Sequence, residues 1–518
     1  MKIFSTSAVA QIDTLTAMYE PVSSVDLMER ASHRLTCALV DYFPYTHDFV
    51  IFAGPGNNGG DGLVMARLLF ERGYSVGVYM IDTAARLSFC CQKAMERLRK
   101  ETSVAVRNIG ECALPSDAVV VDALFGCGLN RPLTGAAADA VRLINSLSLP
   151  VAAVDIPSGL MGEDNSAVDK ECIVRADVTF TLQFPKLSML FAENEPFVGE
   201  MQVLEIGLSR RAMDEVGHLA FITEEDEAAA LMRPRRCHSH KGDYGRALLV
   251  AGSRGMAGAS VLAAKGALRS GVGLLTVHAP QCNNAILQTA VPEAMTSIDY
   301  CDTHFSAAPF MGRYSAVGVG PGIGQSAMAS GALLQLIDKC NVPMVVDADA
   351  LNILSLHPDW FRRLPQGSVV TPHPGEFARM AGGAASGYDA LQKALAFARE
   401  NNVCVVLKGA YTLVVSPSGE YSFNGSGNPG MATGGSGDVL TGVILALLAR
   451  GYNAYDAARL GVYVHGAAGD CAAATLGETA MCAGDIVEYL PQAWSARASA
   501  RAAQLRASVK PSRHLIPI

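Results

Sequence analysis

The stretch Asn428-Pro-Gly-Met-Ala-Thr-Gly-Gly-Ser-Gly-Asp438 runs directly into the apolar segment Val439-Leu-Thr-Gly-Val-Ile-Leu-Ala-Leu-Leu-Ala449. Four glycines between Gly430 and Gly437 let the backbone approach a ligand closely and turn several N–H groups toward one point. The helix predicted after this loop adds the positive end of its dipole at the same place. The pattern therefore indicates a phosphate site. Asp438, at the helix start, either caps the helix or takes a proton from an attacking hydroxyl.

Length and composition bound the class of protein. A chain of 518 residues is long enough for two domains. Half of its residues are apolar and only 17% are charged, and its 50 glycines and 24 prolines are typical of a loop-rich α/β enzyme rather than a helical bundle or a disordered protein. The net charge of −8 argues against a nucleic acid or an acidic membrane surface as partner. We expect a small-molecule ligand.

The thirteen cysteines are scattered, without any C-x-x-C pair, and two of them, Cys90 and Cys91, are adjacent. Adjacent cysteines suit neither a zinc site nor an ordinary disulfide. We therefore expect reduced thiols in a cytoplasmic protein. The N-terminus lacks a signal-peptide pattern, and the longest apolar runs are too short to span a bilayer.

The first half of the chain alternates short apolar strands with glycine-bearing loops and helices. A βαβ unit is predicted from a strand at Phe49–Ala53, a helix at Leu63–Arg72 and a strand at Ser75–Ile81. Further buried strands are predicted at 118–121, 151–154 and 178–182. A parallel sheet of this kind collects its ligands at the carboxyl ends of its strands.

The composition changes after Thr223, where an acidic stretch at Glu224–Glu227 is followed by a basic one at Arg233–Arg236. This change predicts a domain boundary. Strands recur beyond it at 247–251, 274–277, 316–319, 344–346, 368–370 and 403–407. The halves show no internal repeat, so the sequence predicts a fusion of two different domains. We expect an N-terminal domain at 1–222, a C-terminal domain at 223–496 and a flexible tail at 497–518.

The loop Gly54-Pro-Gly-Asn-Asn-Gly-Gly-Asp-Gly62 satisfies G-x-G-x-x-G, and Asp82 follows the next strand where a ribose-binding acid would stand. A dinucleotide-dependent oxidoreductase is therefore one interpretation. However, this loop also carries the polar side chains of Asn57, Asn58 and Asp61, which a turn that binds pyrophosphate through its backbone does not need. Their amides and carboxyl group suit a sugar, an amide or a hard cation.

Two more polar loops follow strands of the same sheet. One is Val121-Asp-Ala-Leu-Phe-Gly126 with its continuation to Pro132, and the other is Asp155-Ile-Pro-Ser-Gly159. Together with the first loop, they meet at one edge of the sheet and are expected to form a ligand-binding site. Asp122 could equally cap a backbone, and Asp155 could equally form a turn.

These three loops resemble the hallmark motifs of the NAD(P)HX epimerase family, the YjeF N-terminal domain. The resemblance implies a Rossmann-like three-layer domain that interconverts the R and S forms of hydrated NADH or NADPH. It implies a potassium ion held by Asn58, Asp122 and Ser158. It places the hydrated nucleotide against Asn57, Asn58, Gly59, Gly60, Asp61, Gly126, Cys127, Gly128, Leu129, Asn130, Arg131, Pro132 and Asp155. Cys127 stands where the family more usually has threonine. Asp122 as the acid/base is a hypothesis, because it competes with the role of ion ligand.

The second half carries seven ordered motifs: His240–Gly245, Gly252–Gly258, Gly320–Gly324, Val346–Asn352, Thr371–Glu376, Leu407–Ala410 and the Gly-Gly-Ser-Gly-Asp438 element. They resemble the NAD(P)HX dehydratase family, which is similar to the ribokinase-like small-molecule kinases. The chain as a whole thus resembles a bifunctional NAD(P)HX repair enzyme with a ribokinase-like α/β C-terminal domain.

From the residues alone, Lys408 can lie against a nucleotide phosphate, and Asp438 can deprotonate a hydroxyl. The resemblance implies that this hydroxyl is the one at C6 of hydrated NAD(P)H, whose phosphorylation and elimination restore NAD(P)H. It implies substrate contacts from Ala259, Gly322, His373 and Asp438, and nucleotide contacts from Lys408, Gly409, Ala410, Tyr411, Thr412 and Gly437. His373 could instead be a hydrogen-bonded turn residue. Asp347 and Asp349 could hold Mg²⁺ or cap structure.

The expected ligands are NADHX or NADPHX, K⁺, Mg²⁺ and a nucleotide, for which ADP is favoured over ATP, and we expect a homo-oligomer. Two alternatives remain at this point. A hydroxymethylpyrimidine- or pyridoxal-type kinase with a regulatory N-terminal domain would use the same Gly-Ser-Gly-Asp chemistry but leave a stable phosphorylated product. A dinucleotide-binding sensor would keep the fold without turnover.

Overall fold

The computed structural model describes residues 1–81, 86–111 and 117–508. The chain divides into two compact units, Met1–Ala220 with Ala385–Asp389, and the part that begins at Phe221. The division falls beside the predicted boundary between residues 222 and 223.

The elements of the first unit alternate as a doubly wound fold requires. Its strands are β1 (Lys2–Ile3), β2 (Asp48–Ala53), β3 (Ser75–Met80), β4 (Val106–Asn108), β5 (Val119–Ala123), β6 (Val151–Val154), β7 (Val178–Leu182) and β8 (Glu200–Leu204). Its helices are α1 (Thr6–Tyr19), α2 (Ser24–Tyr42), α3 (Asn57–Glu71), α4 (Phe89–Glu101), α5 (Ala136–Ser146), α6 (Glu195–Val198) and α7 (Arg210–Glu215).

Seven strands of this unit form one parallel sheet in the order β4-β3-β2-β5-β6-β7-β8. The order reverses between β2 and β5, so their carboxyl ends flank a topological switch point, where doubly wound folds bind ligands. Alternate residues of β2 bury on opposite faces: Phe49 and Ile51 pack with α2, α3 and α4, whereas Val50 and Phe52 pack with α5. The three-layer arrangement follows from this alternation.

Helix α3 begins at Asn57, six residues before the predicted start at Leu63, and the prediction of a glycine loop up to Gly62 was wrong. The glycines of its first turns serve close packing. A Cβ at Gly59 would lie 1.8 Å from the Gly54 carbonyl oxygen, and one at Gly62 would lie 2.7 Å from the Ala123 Cβ. Glycine therefore lets the helix start directly against the sheet.

The second unit is also α/β. Its strands are β9 (Ala220–Thr223), β10 (Arg246–Val250), β11 (Leu274–Ala279), β12 (Met295–Ile298), β13 (Ala316–Val319), β14 (Met344–Val346), β15 (Val369–Val370), β16 (Cys404–Leu407), β17 (Leu413–Val415) and β18 (Tyr421–Asn424). Its helices are α8 (Glu225–Leu231), α9 (Ala257–Arg269), α10 (Gln281–Ala290), α11 (Ala327–Lys339), α12 (Ala348–Ser355), α13 (Pro374–Ala381), α14 (Gly387–Asn401), α15 (Ser436–Ala449), α16 (Ala454–Leu476) and α17 (Ala483–Ser508).

The sheet of the second unit runs β12-β11-β10-β13-β14-β15-β16-β17-β18-β9. Strands β12 to β16 are parallel, and β17 pairs antiparallel with both β16 and β18. The order reverses between β10 and β13, which sets a second switch point at the loops that follow these strands.

Helix α15 lies in the largest core of this unit, and eleven consecutive residues from Val439 to Ala449 are buried. It packs against α9 at glycines: a Cβ at Gly442 would lie 1.9 Å from the Ala263 carbonyl oxygen, and one at Gly266 would lie 2.6 Å from the Val439 carbonyl oxygen. The two helices approach closely because these positions lack side chains. The start of α15 is thereby fixed.

Other elements differ from expectation or lie beyond it. Strands β4, β8, β12, β17 and β18 were not predicted. Helix α17 continues to Ser508, so the first part of the expected tail is helical, and residues 509–518 and Asp82 lie outside the described residues. Within the described ranges, no helix is both long and apolar enough to cross a membrane.

Candidate active sites

The predicted residues of the first unit meet at its switch point. Asn58, in the first turn of α3, is buried, and its Oδ1 lies 3.1 Å from where a Cβ of Gly126 would be. The loop after β5 therefore passes directly over this amide. Asn57 points elsewhere, since its exposed Oδ1 accepts a hydrogen bond from Ser88 Oγ at 2.7 Å.

Asp122 is completely buried at the end of β5, and three donors hold its carboxyl group. Ser158 donates from its backbone N at 2.8 Å and from its Oγ at 2.6 Å, and Leu124 donates its backbone N at 3.2 Å. Burial raises the pKa of Asp122 to about 6, and the Ser158 and Leu124 hydrogen bonds oppose that rise. These contacts tie the loops after β5 and β6 together.

The chemistry of these groups fits a hard cation. The Asn58 amide is buried and its Nδ2 has no hydrogen-bond partner in the described part of the protein. Asp122 and Ser158, which hydrogen-bond to each other, offer carboxyl and hydroxyl oxygens, and Asn58 offers its amide oxygen close to Gly126. Oxygen atoms are the ligands that hard cations prefer. The three residues expected to hold K⁺ thus belong to two adjoining loops and the start of α3.

Asp155, directly after β6, has a left-handed backbone with φ of 68°. A non-glycine residue keeps this strained conformation where its surroundings fix it. Its carboxyl group accepts hydrogen bonds from the backbone N of Cys127 at 3.4 Å and of Leu182 at 3.2 Å, and it pairs with the buried ammonium of Lys186. One side chain therefore joins the loops after β5, β6 and β7.

Two of the predicted residues carry strongly shifted groups. Asp61 is buried, accepts a hydrogen bond from Ser32 Oγ at 3.1 Å, and has its pKa raised well above the ordinary value by burial. Burial, and secondarily the charge of Asp155, raises the pKa of the Cys127 thiol to about 12. The thiol is thus protonated at neutral pH and is not a nucleophile.

The rest of the predicted substrate loop extends away from these groups. Leu129 N donates to the Gly126 carbonyl oxygen at 3.2 Å, closing a turn, while Gly128, Asn130, Arg131 and Pro132 are exposed. The structure therefore brings Gly126 and Cys127 to the polar cluster and leaves the loop tip outside it.

The phosphate site predicted in the second unit forms at the start of α15. Gly435 precedes the helix with φ of 93°, in the left-handed region that favours glycine. Lys408 Nζ lies 3.4 Å from where a Cβ of Gly437 would be, and 2.9 Å from Asp347 Oδ1. Thr441 Oγ1 donates to Asp347 Oδ2 at 2.7 Å. A lysine, a helix N-terminus and a glycine backbone thus converge.

Asp438 lies in the first turn of α15 and makes no cap, because Gly435 occupies the N-cap position without a side chain. Among the described residues no donor bonds its carboxyl group. Burial raises the pKa of Asp438 to about 6, and Asp347 adds to the rise while Lys408 opposes it. A half-buried carboxyl group with such a pKa can accept a proton near neutrality.

His373 is the N-cap of α13: its Nδ1 accepts hydrogen bonds from the backbone N of Gly375 at 3.0 Å and of Glu376 at 3.4 Å. Its side chain is 52% exposed, so the ring stays available to a ligand while it caps the helix. The Glu376 carboxyl group also lies 3.9 Å from Lys408 Nζ. His373 is thus linked to the lysine through Glu376.

Ala259 and Gly322 lie together at the switch point of the second unit. A Cβ at Gly322, whose φ is 63°, would be 3.3 Å from the Ala259 Cβ. Asp349 accepts hydrogen bonds from Gly324 N at 2.9 Å and Gln325 Nε2 at 2.8 Å, which holds the neighbouring loop. Asp349 was expected either to hold Mg²⁺ or to cap the backbone, and these hydrogen bonds are of the second kind.

The predicted nucleotide-binding residues form the turn after β16. Thr412 Oγ1 donates to the Gly409 carbonyl oxygen at 2.9 Å, and Lys408 N donates to the Pro372 carbonyl oxygen at 2.9 Å. Gly409 and Ala410 are exposed and Tyr411 is half-buried, so this turn presents its outer side to solvent.

Sequence reasoning missed several side chains that hold these sites: Lys186, Thr441 and His465. His465, on α16, donates from Nε2 to the Ser436 carbonyl oxygen at 3.0 Å, and burial lowers its pKa to about 4. Thr441 stands in the apolar segment after the glycine loop, and Lys186 and His465 stand outside every motif described above. The one available signal was a polar residue inside a buried run.

Comparisons with known proteins agree with this geometry. The model of the family described as YjeF-related protein N-terminus matches residues 24–188, and the model described as NAD(P)H-hydrate dehydratase matches residues 247–492. The bifunctional NAD(P)H-hydrate repair enzyme Nnr of Moorella thermoacetica is 35% identical over 95% of this chain and 96% of its own length. The chain belongs to the family of bifunctional NAD(P)H-hydrate repair enzymes. The member from Escherichia coli K12 is 35% identical over 90% of this chain and 88% of its own.

Among solved structures, the ADP/ATP-dependent NAD(P)H-hydrate dehydratase of Bacillus subtilis, co-crystallised with ATP and Mg²⁺, is 31% identical. It covers 54% of this chain and 99% of its own length, with a TM-score of 0.48. The predicted fold class, a Rossmann-like domain followed by a ribokinase-like α/β domain, is confirmed. Membership of the family also disfavours the oxidoreductase, simple kinase and sensor interpretations.

Proposed function

We propose that this chain repairs hydrated nicotinamide nucleotides. The first unit interconverts (R)- and (S)-NAD(P)HX, and the second dehydrates (S)-NAD(P)HX to NAD(P)H while ADP is converted to AMP and phosphate. The observation that carries the proposal is the arrangement of Lys408, Gly437 and Asp438 at the start of α15. It combines an anion site with an unbonded carboxyl group, as phosphoryl transfer to a hydroxyl requires.

In the second unit, Lys408 and the backbone N–H groups at the start of α15 would bind and orient the transferred phosphoryl group. Asp438 would take the proton of the C6 hydroxyl as the hydroxyl oxygen attacks the β-phosphorus of ADP and the bond to the AMP leaving group breaks. The phosphate ester then leaves as inorganic phosphate, and loss of the C5 proton restores the ring double bond. Asp347 and Thr441 would keep Lys408 in position.

Mg²⁺ binds mainly through phosphate oxygens and water, with one or two carboxylates, and would neutralise charge on the phosphates. Asp347 and Asp349 both already accept hydrogen bonds, Asp347 from Lys408 and Thr441 and Asp349 from Gly324 and Gln325, so we propose that the phosphates supply most of the Mg²⁺ ligands. ADP is proposed over ATP because the order of the fused domains resembles bacterial members of the family.

In the first unit, Asn58, Asp122 and Ser158 would hold K⁺, which supplies positive charge next to the substrate. The contact between Asp122 and Ser158 supports this, as does the buried amide oxygen of Asn58 close to Gly126. Gly126, Cys127 and Asp155 would form the wall of the substrate site.

We also propose a cytoplasmic location, which the twelve free cysteines of the described residues support. The homo-oligomer stays a prediction.

The test mixes the protein with both epimers of NADHX, Mg²⁺, K⁺ and either ADP or ATP, and follows reduced-nicotinamide absorbance and phosphate release. We expect full recovery of NADH with one phosphate per NADH, and faster turnover with ADP. Recovery that stops at the S fraction would contradict the epimerase. A stable phosphorylated product without phosphate release would contradict the dehydratase.

A further inference from the structure

An ion pair between Asp155, which opens the motif after β6, and Lys186, which stands outside the motifs, lies at the carboxyl edge of β6 and β7. Lys186 Nζ pairs with Asp155 and donates to Thr181 Oγ1 at 2.9 Å and the Phe184 carbonyl oxygen at 3.2 Å. The side chain of Lys186 is only 4% exposed. The Leu182 carbonyl oxygen, at 3.5 Å, is a fourth acceptor. A buried lysine with four acceptors is held rigidly, so the pair would form one wall of the proposed epimerase site.

Helix α1 brings a further carboxyl group to this wall. The backbone N of Thr6 donates to Glu163 Oε1 at 2.7 Å, which attaches the helix start to the loop after β6. Ile12 packs with Phe184 in a common apolar cluster. Asp13, the next residue of this helix, is half-buried, and the charges of Asp155 and Lys186 both act on its pKa.

Asp13 differs from the other carboxyl groups of the cluster in having no hydrogen bond among the described residues. Asp122 accepts three, Asp155 accepts from Cys127, Leu182 and Lys186, and Asp61 accepts from Ser32. These carboxyl groups use their oxygens to hold neighbouring parts of the protein in place. An unbonded, half-buried carboxyl group keeps its oxygens for a ligand.

We propose that Asp13 is the catalytic residue that carries the proton in epimerisation, with Lys186 as a positioning residue that fixes Asp155 beside it. This inference rests on the proposed function of the first unit. The Asp13 carboxylate takes the proton of the C6 hydroxyl, and the C6–N1 bond breaks with its electron pair moving to the ring nitrogen. The resulting aldehyde rotates and the nitrogen closes on its other face. The same carboxyl group then returns the proton to oxygen, so a single carrier suffices.

The charges around Asp13 suit this exchange. Burial raises the pKa of Asp13 to about 6, the charge of Asp155 adds to the rise, and Lys186 opposes it. The Asp13 charge in turn contributes to the raised pKa values of Asp61 and Cys127. Near neutral pH, such a carboxyl group both accepts and returns a proton readily.

The experiment incubates pure (R)-NADHX with the full-length protein and K⁺ and measures the S form by chromatography. Nucleotide is left out so that no dehydration occurs. We expect Asp13→Asn to lower the epimerisation rate above background by about 10²–10⁴-fold. Dehydration of (S)-NADHX, measured separately with ADP, should stay unchanged. Asp41→Asn, a change on the exposed face of α2, is the matched control and should leave both rates unchanged.

A second variant separates chemistry from folding. Added formate should restore part of the epimerisation lost in Asp13→Ala, because a small carboxylate can occupy the space of the missing group. A purely structural role would not respond. Asp13→Asn with a rate within threefold of the wild type, or Asp13→Ala without formate rescue, would overturn the proposal. If the wild-type protein does not epimerise, the proposed function of the first unit itself fails.

Discussion

Asp438 and Asp347 stand beside the same lysine, yet their surroundings give them different roles. Asp347 is bonded on both oxygens, by Lys408 and Thr441. Asp438 has no such bond among the described residues, and burial raises its pKa. A carboxyl group whose oxygens are already bonded orients its neighbours, and one without bonds can take a proton.

Replacing Asp438 by asparagine keeps the shape of the side chain and removes the proton acceptor. We expect dehydration of (S)-NADHX to fall by about 10²–10⁴-fold, while nucleotide affinity, measured by calorimetry, changes little. Asp359→Asn, at an exposed position of the same unit, is the control. An unchanged dehydration rate in Asp438→Asn would remove this residue from the mechanism.

The raised pKa of Asp438 also predicts the pH dependence of dehydration. The carboxylate is the active form, so kcat/KM should be full above the pKa of about 6 and should fall as pH drops through it. Below that point the loss should approach about tenfold per pH unit. A kcat/KM that is flat between pH 5 and 8, measured with substrate stability controlled at each pH, would contradict this role.

Among individual site residues, those that stand in motifs could be predicted from the sequence. Lys408 and Asp438 follow a buried strand and open a helix, so their positions could be inferred from local pattern. Asp13 and Lys186 lie 173 positions apart in the chain. Their proximity arises from the docking of α1 against the loop after β7, and no local pattern encodes that contact.

Helices and strands in this protein depend on glycine in two different ways. At Gly435 and Gly322, glycine supplies a left-handed backbone in a ligand loop. At Gly59, Gly62 and Gly442, it allows a helix to touch the backbone or strand beside it. Sequence alone does not separate these uses, which is why residues 57–62 were predicted as a loop.

A pair of alanine substitutions tests the packing role. Gly442→Ala should lower the free energy of unfolding by about 1–3 kcal/mol, because its Cβ would lie 1.9 Å from the Ala263 carbonyl oxygen and push α15 from α9. Gly331→Ala, in the exposed part of α11 with nothing within 4 Å, should stabilise the protein by about 0.5–1 kcal/mol. Urea unfolding measures both. Equal effects of the two changes would contradict close packing at Gly442.

The predicted strands agree with the structure where they are central and buried. Strands β6, β7, β13 and β14 have the predicted bounds, because β6, β13 and β14 are continuous apolar runs and β7 alternates apolar residues with threonine, a residue that favours strands. Strands β8 and β12 were missed, since they are edge strands with exposed polar residues such as Glu200. Edge strands depend on a neighbour that is distant in sequence.

Each unit has an α/β arrangement with a hydrophobic core and a switch point. The first carries the residues proposed for the cation and for epimerisation, and the second carries the loop proposed for phosphate. The number of domains and the order of the activities could be predicted from the two sets of motifs. The continuation of α17 to Ser508 could not, because its Ala/Arg-rich composition resembled a tail.

Separate sites predict complementation between variants. Asp122→Asn should impair epimerisation through the cation site, and Asp438→Asn should impair dehydration, so neither alone should recover NADH from (R)-NADHX. A mixture of the two variants should recover it fully, because (S)-NADHX can diffuse from one molecule to the other. Absorbance at the reduced-nicotinamide band follows the reaction. If the mixture fails while wild-type protein succeeds, the intermediate does not pass through solution.

The protonated thiol of Cys127 makes the epimerase site unresponsive to reagents that select thiolates. A maleimide dye offered near neutral pH should attach at the exposed Cys237 and at Cys301, whose pKa is lowered by hydrogen bonds from Thr303 and His304, and should leave Cys127 unlabelled. The enzyme can therefore carry a fluorophore on its surface while epimerisation is monitored in the same cuvette.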